Sequence, residues 1–339
     1  MVRLDINALT LWITAAAIGQ PDALAQHLVQ RSGMSRTTAR KALRRLVELN
    51  WLVREGTRSR PHYRPGLLRQ ATHRYALAGL QEDLPWSRDF APVLQLPRPL
   101  LRMVQHSFTE LLNNAIDHSD GSSVTVSLRQ TPSQVQLLVS DDGRGLFDKI
   151  ESEFALGDPN LAMLELSKGK LTSLPARHSG RGLYFTARLA DVFDLHANET
   201  AFQRRAWDEG GWRSGRPLKR QGTSVYAAFA IDTQRTLESV LAASSLDGKG
   251  MGFDRTVVPL RLMASDSAGL ESRSQARRVA ARLEQFQRVE VDFFGVAQIG
   301  HSFADELFRV LAPSHGRAEL VPVNMSAAVA AMVATVHRA

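Results

Sequence analysis

The chain has 339 residues, 44% of them apolar and 22% charged, which describes a folded protein of two or three domains and excludes a disordered one. It has no cysteine, so disulfides, thiolate metal sites and cysteine nucleophiles are excluded as well. The formal charge of +8 is uneven: residues 1–75 hold 13 Lys and Arg against 4 Asp and Glu, a net of +9, and the remainder of the chain sums to −1. A local excess of that kind points to a polyanionic partner for one domain.

Three helices are expected first, at about 8–18, 22–31 and 35–50. The apolar run LTLWITAAAIG is too short to span a bilayer, so it reads as a buried helix, with a cytoplasmic location and no membrane partner expected. Asp22 and Ser35 stand where N-caps are needed. In the third helix Ala39, Leu43, Leu46, Val47 and Leu49 form an apolar face, while Ser35, Arg36, Thr37, Arg40, Lys41 and Arg44 lie towards its first turns and outer side. Extended pieces at 51–54 and 62–64 flank the basic turn EGTRSRP.

The run SRTTARKALRRLVELNWLVREG resembles a winged helix-turn-helix. The resemblance implies that Ser35, Arg36, Thr37, Arg40 and Lys41 enter the major groove of double-stranded DNA and that Arg58 and Arg60 reach phosphates from the wing. Some winged helices serve protein contacts instead; the local charge favours DNA. Reading a palindrome would require a homodimer.

A Pro-rich joint, LPWSRDFAPVLQLPRP, lies within an expected linker at 76–97. The helix that follows contains FTELLNNAIDHSDG, in which Glu110, Asn114 and Asp117 project within a band of about 60° while Leu112, Ala115 and Ile116 point roughly the other way. Strands are expected at 123–128 and 134–139, the second running into SDDGRGLFDKI. Then come HSGRGLYFTARLADVFDL, a glycine pair opening a helix, and a last strand at 222–231, GTSVYAAFAI. Each piece alone is weak. Their order is specific.

Together they resemble the GHKL ATP-binding domain shared by gyrase, the heat-shock chaperone, histidine kinases and mismatch-repair ATPases, over about residues 98–232. The matching segments are the N box (ELLNNAIDH) and two glycine boxes (DDGRG and GRGL). The resemblance implies ATP and Mg²⁺ as ligands. Asn114 would give its side-chain oxygen to Mg²⁺, Asp141 would accept the adenine amino group, and Gly143 and Gly145 would let the backbone pass close to base and sugar. Gly180 and Gly182 would offer backbone N–H groups to phosphate, with Thr223 completing the adenine contacts. Glu110 matches the glutamate that orients and deprotonates water in the hydrolysing branch. Asp117 reads as a nucleotide-side residue or a helix cap, His118 likewise as an assisting or capping group, and Arg181 as a phosphate contact or a surface residue. Residues 146–177 would be the lid, ordered by ATP, with Lys168, Lys170, Thr172 and Ser173 reaching phosphates or simply solvated. His178 reads as a loop residue. Tyr184 stands where the kinase pattern has a third glycine, and His106 lacks the neighbouring glutamate of a phosphoacceptor helix, so a conventional two-component kinase is not expected.

After a second linker at 233–254, strand and helix patterns alternate from residue 255, which implies a small parallel or mixed sheet with helices packed on it. The run VEVDFFGVAQIGHSFADELFRVL resembles a STAS domain, and more closely the STAS-like domain of unknown function that follows such ATPase domains. Ser302 falls where antagonists of that fold are phosphorylated, although Gly300-His301-Ser302-Phe303 replaces Asp-Ser-Ser-Gly; a plain N-cap, with Asp305 in the first turn, is the other reading.

The expected fold is therefore multidomain, α+β and α/β: a winged helix over 1–75, a GHKL α/β sandwich over 98–232 and a small STAS-like α/β domain over 255–339. The expected function is a DNA-binding transcriptional regulator switched by Mg-ATP binding, with slow hydrolysis as a reset and a protein partner at the STAS-like end. The alternative is a serine kinase of the anti-sigma-factor type acting on its own STAS-like domain or on a partner.

Overall fold

The computed structural model describes residues 5–172, 180–250, 252–264, 269–311 and 318–338. It is a mixed α/β, multidomain structure of two compact units: residues up to Gly143 with Ser224–Thr233, and Arg144–Thr223 with Gln234 onward. Among the described residues no helix is long and apolar enough to cross a membrane.

The first unit begins with helices α1 (Ile6–Thr10), α2 (Ile13–Gly19), α3 (Leu24–Ser32) and α4 (Arg36–Glu48), then the hairpin of β1 (Leu52–Gly56) and β2 (Pro61–Pro65). Two local causes fix α4. Ser35 Oγ accepts the Thr38 N–H at 3.1 Å and so satisfies an orphan donor of the first turn. Ala39, Leu43 and Leu46 recur on one face and are buried with Leu9, Ile13, Leu28 and Trp51 in one cluster. Asp22 does not cap α3, whose N-cap is Ala23. It pairs instead with His62 Nδ1 at 2.8 Å, because the turn after Pro21 is held to the hairpin by the Tyr63 N–H on the Pro21 carbonyl at 3.0 Å.

Strand β3 (Arg69–Ala76) joins this module to a sheet, so the expected boundary at residue 75 falls within a strand. It pairs antiparallel with β4 (Ser123–Gln130), from Arg69↔Gln130 to Ala76↔Ser123. The Thr72 N–H reaches the Leu11 carbonyl at 3.2 Å, and the Gln70 N–H reaches Thr14 Oγ1 at 3.1 Å. The expected linker is also folded. The short helix α5 (Asp83–Pro85) and the helical turns through Val93 bury Trp86, Phe90 and Val93, and the Trp86 and Phe90 rings each lie 5.2 Å from Phe108 of α6 (Arg98–His118). Strand β4 pairs with β5 (Gln134–Asp141), which pairs on its other side with residues 224–230. Alternation buries Val124, Val126 and Leu128 with Val135, Leu137 and Val139, and α6 packs on β5 with Leu111, Leu112 and Ala115 inward.

The second unit starts with α7 (Leu146–Phe154), α8 (Pro159–Lys168) and α9 (Gly182–Leu189). Strands β6 (Val192–Asn198), β7 (Thr200–Arg205) and β8 (Trp212–Ser214) form an antiparallel run, and β9 (Arg220–Ala230) contributes residues 220–223. After α10 (Leu237–Ala243) come β10 (Arg255–Pro259), α11 (Arg273–Ala280), β11 (Arg288–Asp292), α12 (His301–Ala304), β12 (Glu319–Val323) and α13 (Ala327–Arg338). The three strands are parallel in the order β10-β11-β12, as the alternating βα pattern requires.

Candidate functional site

In the first unit, Leu112 and Ala115 of α6 are buried as expected and Glu110, Asn114 and Asp117 are half-buried, but Ile116, expected with the apolar group, is half-buried as well. One turn before Glu110, His106 has its Nε2 buried with no hydrogen-bond partner among the described residues. Burial lowers the His106 pKa, the Glu110 carboxylate pulls the other way, and desolvation wins.

The adjacent carboxylates at the end of β5 have separate tasks. Asp142 accepts the Ser122 N–H and hydroxyl, both at 2.8 Å, and the Ser123 N–H and hydroxyl at 2.9 and 2.6 Å. Those four bonds hold its carboxyl well below the usual range, the Ser123 hydroxyl contributing most. Asp142 thus fastens the loop after α6 to the sheet. Asp141 is only 5% exposed and accepts the Gly143 N–H at 3.0 Å. Gly143 must be glycine, since a Cβ there would lie 2.1 Å from the Ser119 carbonyl oxygen.

In the second unit, Gly145 and Thr223 meet in a hydrogen-bonded knot. Gly145 has φ +94° and closes on Asn198, whose Nδ2 would lie 2.4 Å from an added Cβ. Asn198 donates to the Arg144 carbonyl at 2.8 Å and to Asp148 Oδ2 at 2.6 Å, and accepts the Gly222 N–H at 3.0 Å. Thr223 Oγ1 accepts the Leu146 N–H at 3.0 Å, in the first turn of α7. Sequence reasoning missed Asn198. Its signal was an asparagine at a hairpin end, where it adopts the left-handed conformation (φ 51°) that Asn tolerates best among non-glycine residues.

The second glycine box is also built by close approach. Gly180, at φ +63°, accepts the Lys170 N–H at 2.8 Å, and a Cβ on it would meet the Leu171 carbonyl oxygen at 2.5 Å. Gly182 opens α9, whose N-cap Arg181 makes no side-chain capping bond. Arg181 Nε is buried without a partner among the described residues, and its guanidinium lies 5.6 Å over the Phe253 ring. Tyr184, in place of a third glycine, is a core residue, 4.5 Å from Phe253 and 3.4 Å beneath the Arg188 guanidinium.

Lys168 and Lys170, read as phosphate-reaching or simply solvated, are both engaged with other parts of the chain. Lys168 is fully buried; its Nζ pairs with Glu165 at 2.5 Å and donates to the Ala281 carbonyl at 2.9 Å. Arg282 joins the same Glu165 at 2.9 Å and donates to the Gly169 carbonyl at 3.2 Å, and Thr256 Oγ1 donates to the Lys168 carbonyl at 2.7 Å. Lys170 Nζ donates to the Gln285 carbonyl at 2.6 Å and lies 4.4 Å over Phe286. The C-terminal end of α8 is therefore clasped by residues 256–286. The motif could not show this, because the partners are more than 80 residues away and are mostly backbone carbonyls. Ser173 and His178 lie outside the described residues, as do positions 174–177 of the expected lid.

On α4, Arg36, Thr37, Arg40 and Lys41 are exposed, and so are Arg58 and Arg60 on the β1–β2 turn. None of these cations is paired with a carboxylate among the described residues, whereas the Ser35 hydroxyl is engaged in the cap. Ser302 is exposed in α12, but it is not the N-cap. That place belongs to Gly300, whose N–H bonds the Leu270 carbonyl at 2.8 Å and whose absent Cβ makes room for the Glu271 carboxylate. Asp305 lies beyond the first turn and pairs with Arg309 at 2.5 Å.

Residues 81–206 match the family model of the histidine kinase-like ATPase domain. The middle of the chain is a domain of that kind. The match begins inside the expected linker, where Trp86 and Phe90 pack on α6. Residues 275–330 match the STAS-like domain of unknown function. No curated protein matches the chain.

A histidine kinase-like ATPase domain implies ATP binding, usually with Mg²⁺. The residues present fit such a ligand: an interior carboxylate at Asp141, a helix start at Gly182 with no side-chain cap, and a buried guanidinium nitrogen of Arg181 that lacks an acceptor among the described residues. Among the described residues no group of three His, Asp or Glu could hold a metal alone. Mg²⁺ retains waters and shares phosphate oxygens, so a single amide oxygen, such as that of Asn114, would be a sufficient protein contribution.

Proposed function

We propose that this chain is an ATP-responsive, DNA-binding transcriptional regulator. The observation that carries the reading is the set of exposed cations on α4 and the β1–β2 turn that have no carboxylate partner among the described residues, in a chain whose residues 81–206 match an ATPase domain. The winged module binds double-stranded DNA through Arg36, Thr37, Arg40 and Lys41, with Arg58 and Arg60 on phosphates; Ser35 contributes by holding the helix start. A palindromic site would be read by a homodimer. Asn114 holds Mg²⁺, Asp141 and Thr223 orient the adenine, and Gly143 and Gly145 admit base and sugar. Gly180, Arg181 and Gly182 receive phosphate, Asp117 supports the Asn114 side, and Glu110 orients water for slow hydrolysis.

Bound ATP supplies a polyanion that a conformational equilibrium can sense. A route exists within the first unit: β3 is bonded to Leu11 and Thr14 of the winged module and to β4 of the sheet, with no flexible tether between them. The STAS-like domain takes a protein partner. The reading is tested by DNA-binding anisotropy at fixed salt with and without Mg-ATP. A tenfold or larger change in affinity, abolished in Asn114→Ala, is expected; equal affinity in both states would reject the switch.

One observation favours the second reading, in which the chain is a serine kinase for its own STAS-like domain or for a partner: Ser302 is exposed. A time course with γ-labelled ATP separates the two. Label on the chain that is lost in both Asn114→Ala and Ser302→Ala supports the kinase; ATP binding without label leaves the regulator.

A further inference from the structure

Beside the clasp on α8, the second unit contains a cavity of about 240 Å³. Phe154, Leu156, Leu161, Leu171 and Ala281 give it an apolar lining, and Arg278, Arg282 and Glu165 are its charged members. An apolar cavity of roughly 150 Å³ is enough for benzene, so this one accommodates about ten non-hydrogen atoms. Filled with water it would hold about eight molecules, most of them against side chains that offer no hydrogen bond. Displacing such water by an apolar body is favourable.

The charged groups on the wall are unequal. Two guanidiniums face one carboxylate, and that carboxylate is already shared, since Glu165 pairs with both Lys168 and Arg282. Arg278 is different. Its side chain is exposed and has no carboxylate partner among the described residues. Its backbone carbonyl lies 3.5 Å from Lys168 Nζ, so the residue is fixed at the clasp while its guanidinium stays available. A cation beside an apolar cavity selects an anion with an apolar body, and a planar guanidinium suits a carboxylate.

We propose that this cavity binds a small amphipathic carboxylate of about ten non-hydrogen atoms, with its apolar body against Phe154, Leu156, Leu161 and Leu171 and its carboxylate on Arg278. The ligand would lie between α7–α8 of the ATPase stretch and α11 of the STAS-like domain, giving the chain a sensor site within the stretch expected as the lid and adjoining Gly180 through Leu171. This assignment does not depend on nucleotide binding, so it is tested without nucleotide.

The test is isothermal titration of the full chain with sodium octanoate, 1-octanol and octylamine. Octanoate is expected to bind saturably at one site per chain, at least tenfold tighter than octylamine. In Arg278→Ala, which keeps the backbone carbonyl at the clasp, octanoate should fall to the level of octanol. Ala281→Phe starts from an exposed position and fills the cavity, so it should abolish binding of both; Leu156→Trp blocks the same space if the first variant proves unstable. No saturable heat with octanoate at millimolar concentration would overturn the proposal. So would equal binding of all three compounds, or octanoate binding unchanged in a folded blocking variant.

Discussion

The two ends of the chain are both small, arginine-rich modules, yet they treat their cations in opposite ways. In the N-terminal module Arg36, Arg40, Lys41, Arg44, Arg58 and Arg60 stand exposed without a carboxylate among the described residues. In the C-terminal one five arginines are matched, Arg255 to Glu290, Arg277 to Glu306, Arg282 to Glu165, Arg288 to Glu319 and Arg309 to Asp305, with Arg278 an exposed exception. Among its described arginines the N-terminal module pairs Arg45 with Glu48 and Arg64 with Glu55. Net charge explains where a polyanion would go, but pairing explains which cations are left to receive one. A matched arginine near the surface contributes little to stability and recognises nothing else. An unmatched row of them creates a field that water and salt only partly screen.

The comparison breaks most visibly at Glu165, where the paired cations are buried. Glu165→Ala would leave Lys168 and Arg282 facing each other and two carbonyls, and removing one member of a buried pair costs about 3–5 kcal/mol. Urea unfolding should show that loss. The triple variant Glu165→Leu, Lys168→Met and Arg282→Met should recover most of it, because uncharged side chains of similar volume need no ion partner. Recovery would show that the clasp is made by satisfied burial and not by charge as such. Failure to recover would mean that the lysine's bond to the Ala281 carbonyl is itself required.

The N-terminal half of the comparison predicts a smaller, functional effect. Replacing Arg36, Arg40 and Lys41 together by Ala should leave unfolding stability within about 0.5 kcal/mol per site, since these side chains touch nothing that folds the module. DNA affinity should fall at least tenfold at moderate salt; replacing Arg58 and Arg60, the turn cations assigned to phosphates, should shrink the slope of log affinity against log salt by about 0.9 for each phosphate contact removed. An unchanged slope would show that these cations are not at phosphates.

How much of this was legible beforehand follows from where each signal resides. Ser35, Ala39, Leu43 and Leu46 gave α4 because a cap and a 3.6-residue period are local. The polar face of α6 and the glycines at 143, 145 and 180 were legible because close backbone approach leaves few alternatives to glycine. The same stretch hid the division between Asp141 and Asp142, which depends on Ser122 and Ser123 across a sheet. It also hid the fate of Lys168, whose carbonyl acceptor Ala281 lies 113 residues further along the chain. Residues 83–93 read as linker from their prolines, yet two aromatic rings in them complete the core under α6. Asp22 and Ser302 looked like caps, but the local turns put Ala23 and Gly300 there instead.

The smallest expected effect tests His106, a titratable group on α6 in which burial and a neighbouring carboxylate act in opposite directions. His106 titrates below the ordinary histidine value of about 6.5 because desolvation outweighs the attraction of Glu110. Between that value and its lower folded pKa, the unfolded chain binds a proton that the folded chain does not. Stability therefore rises with pH through this window and is lost as pH falls below about 6.5. His106→Phe keeps the ring volume and removes the buried Nε2, so the variant should lose stability less steeply between pH 7 and pH 5. His196, whose pKa burial also lowers, leaves a residual slope of the same sign. Should the variant instead show a steeper slope than the native chain, His106 would be taking up a proton on folding, and Glu110, not desolvation, would be the dominant influence on it.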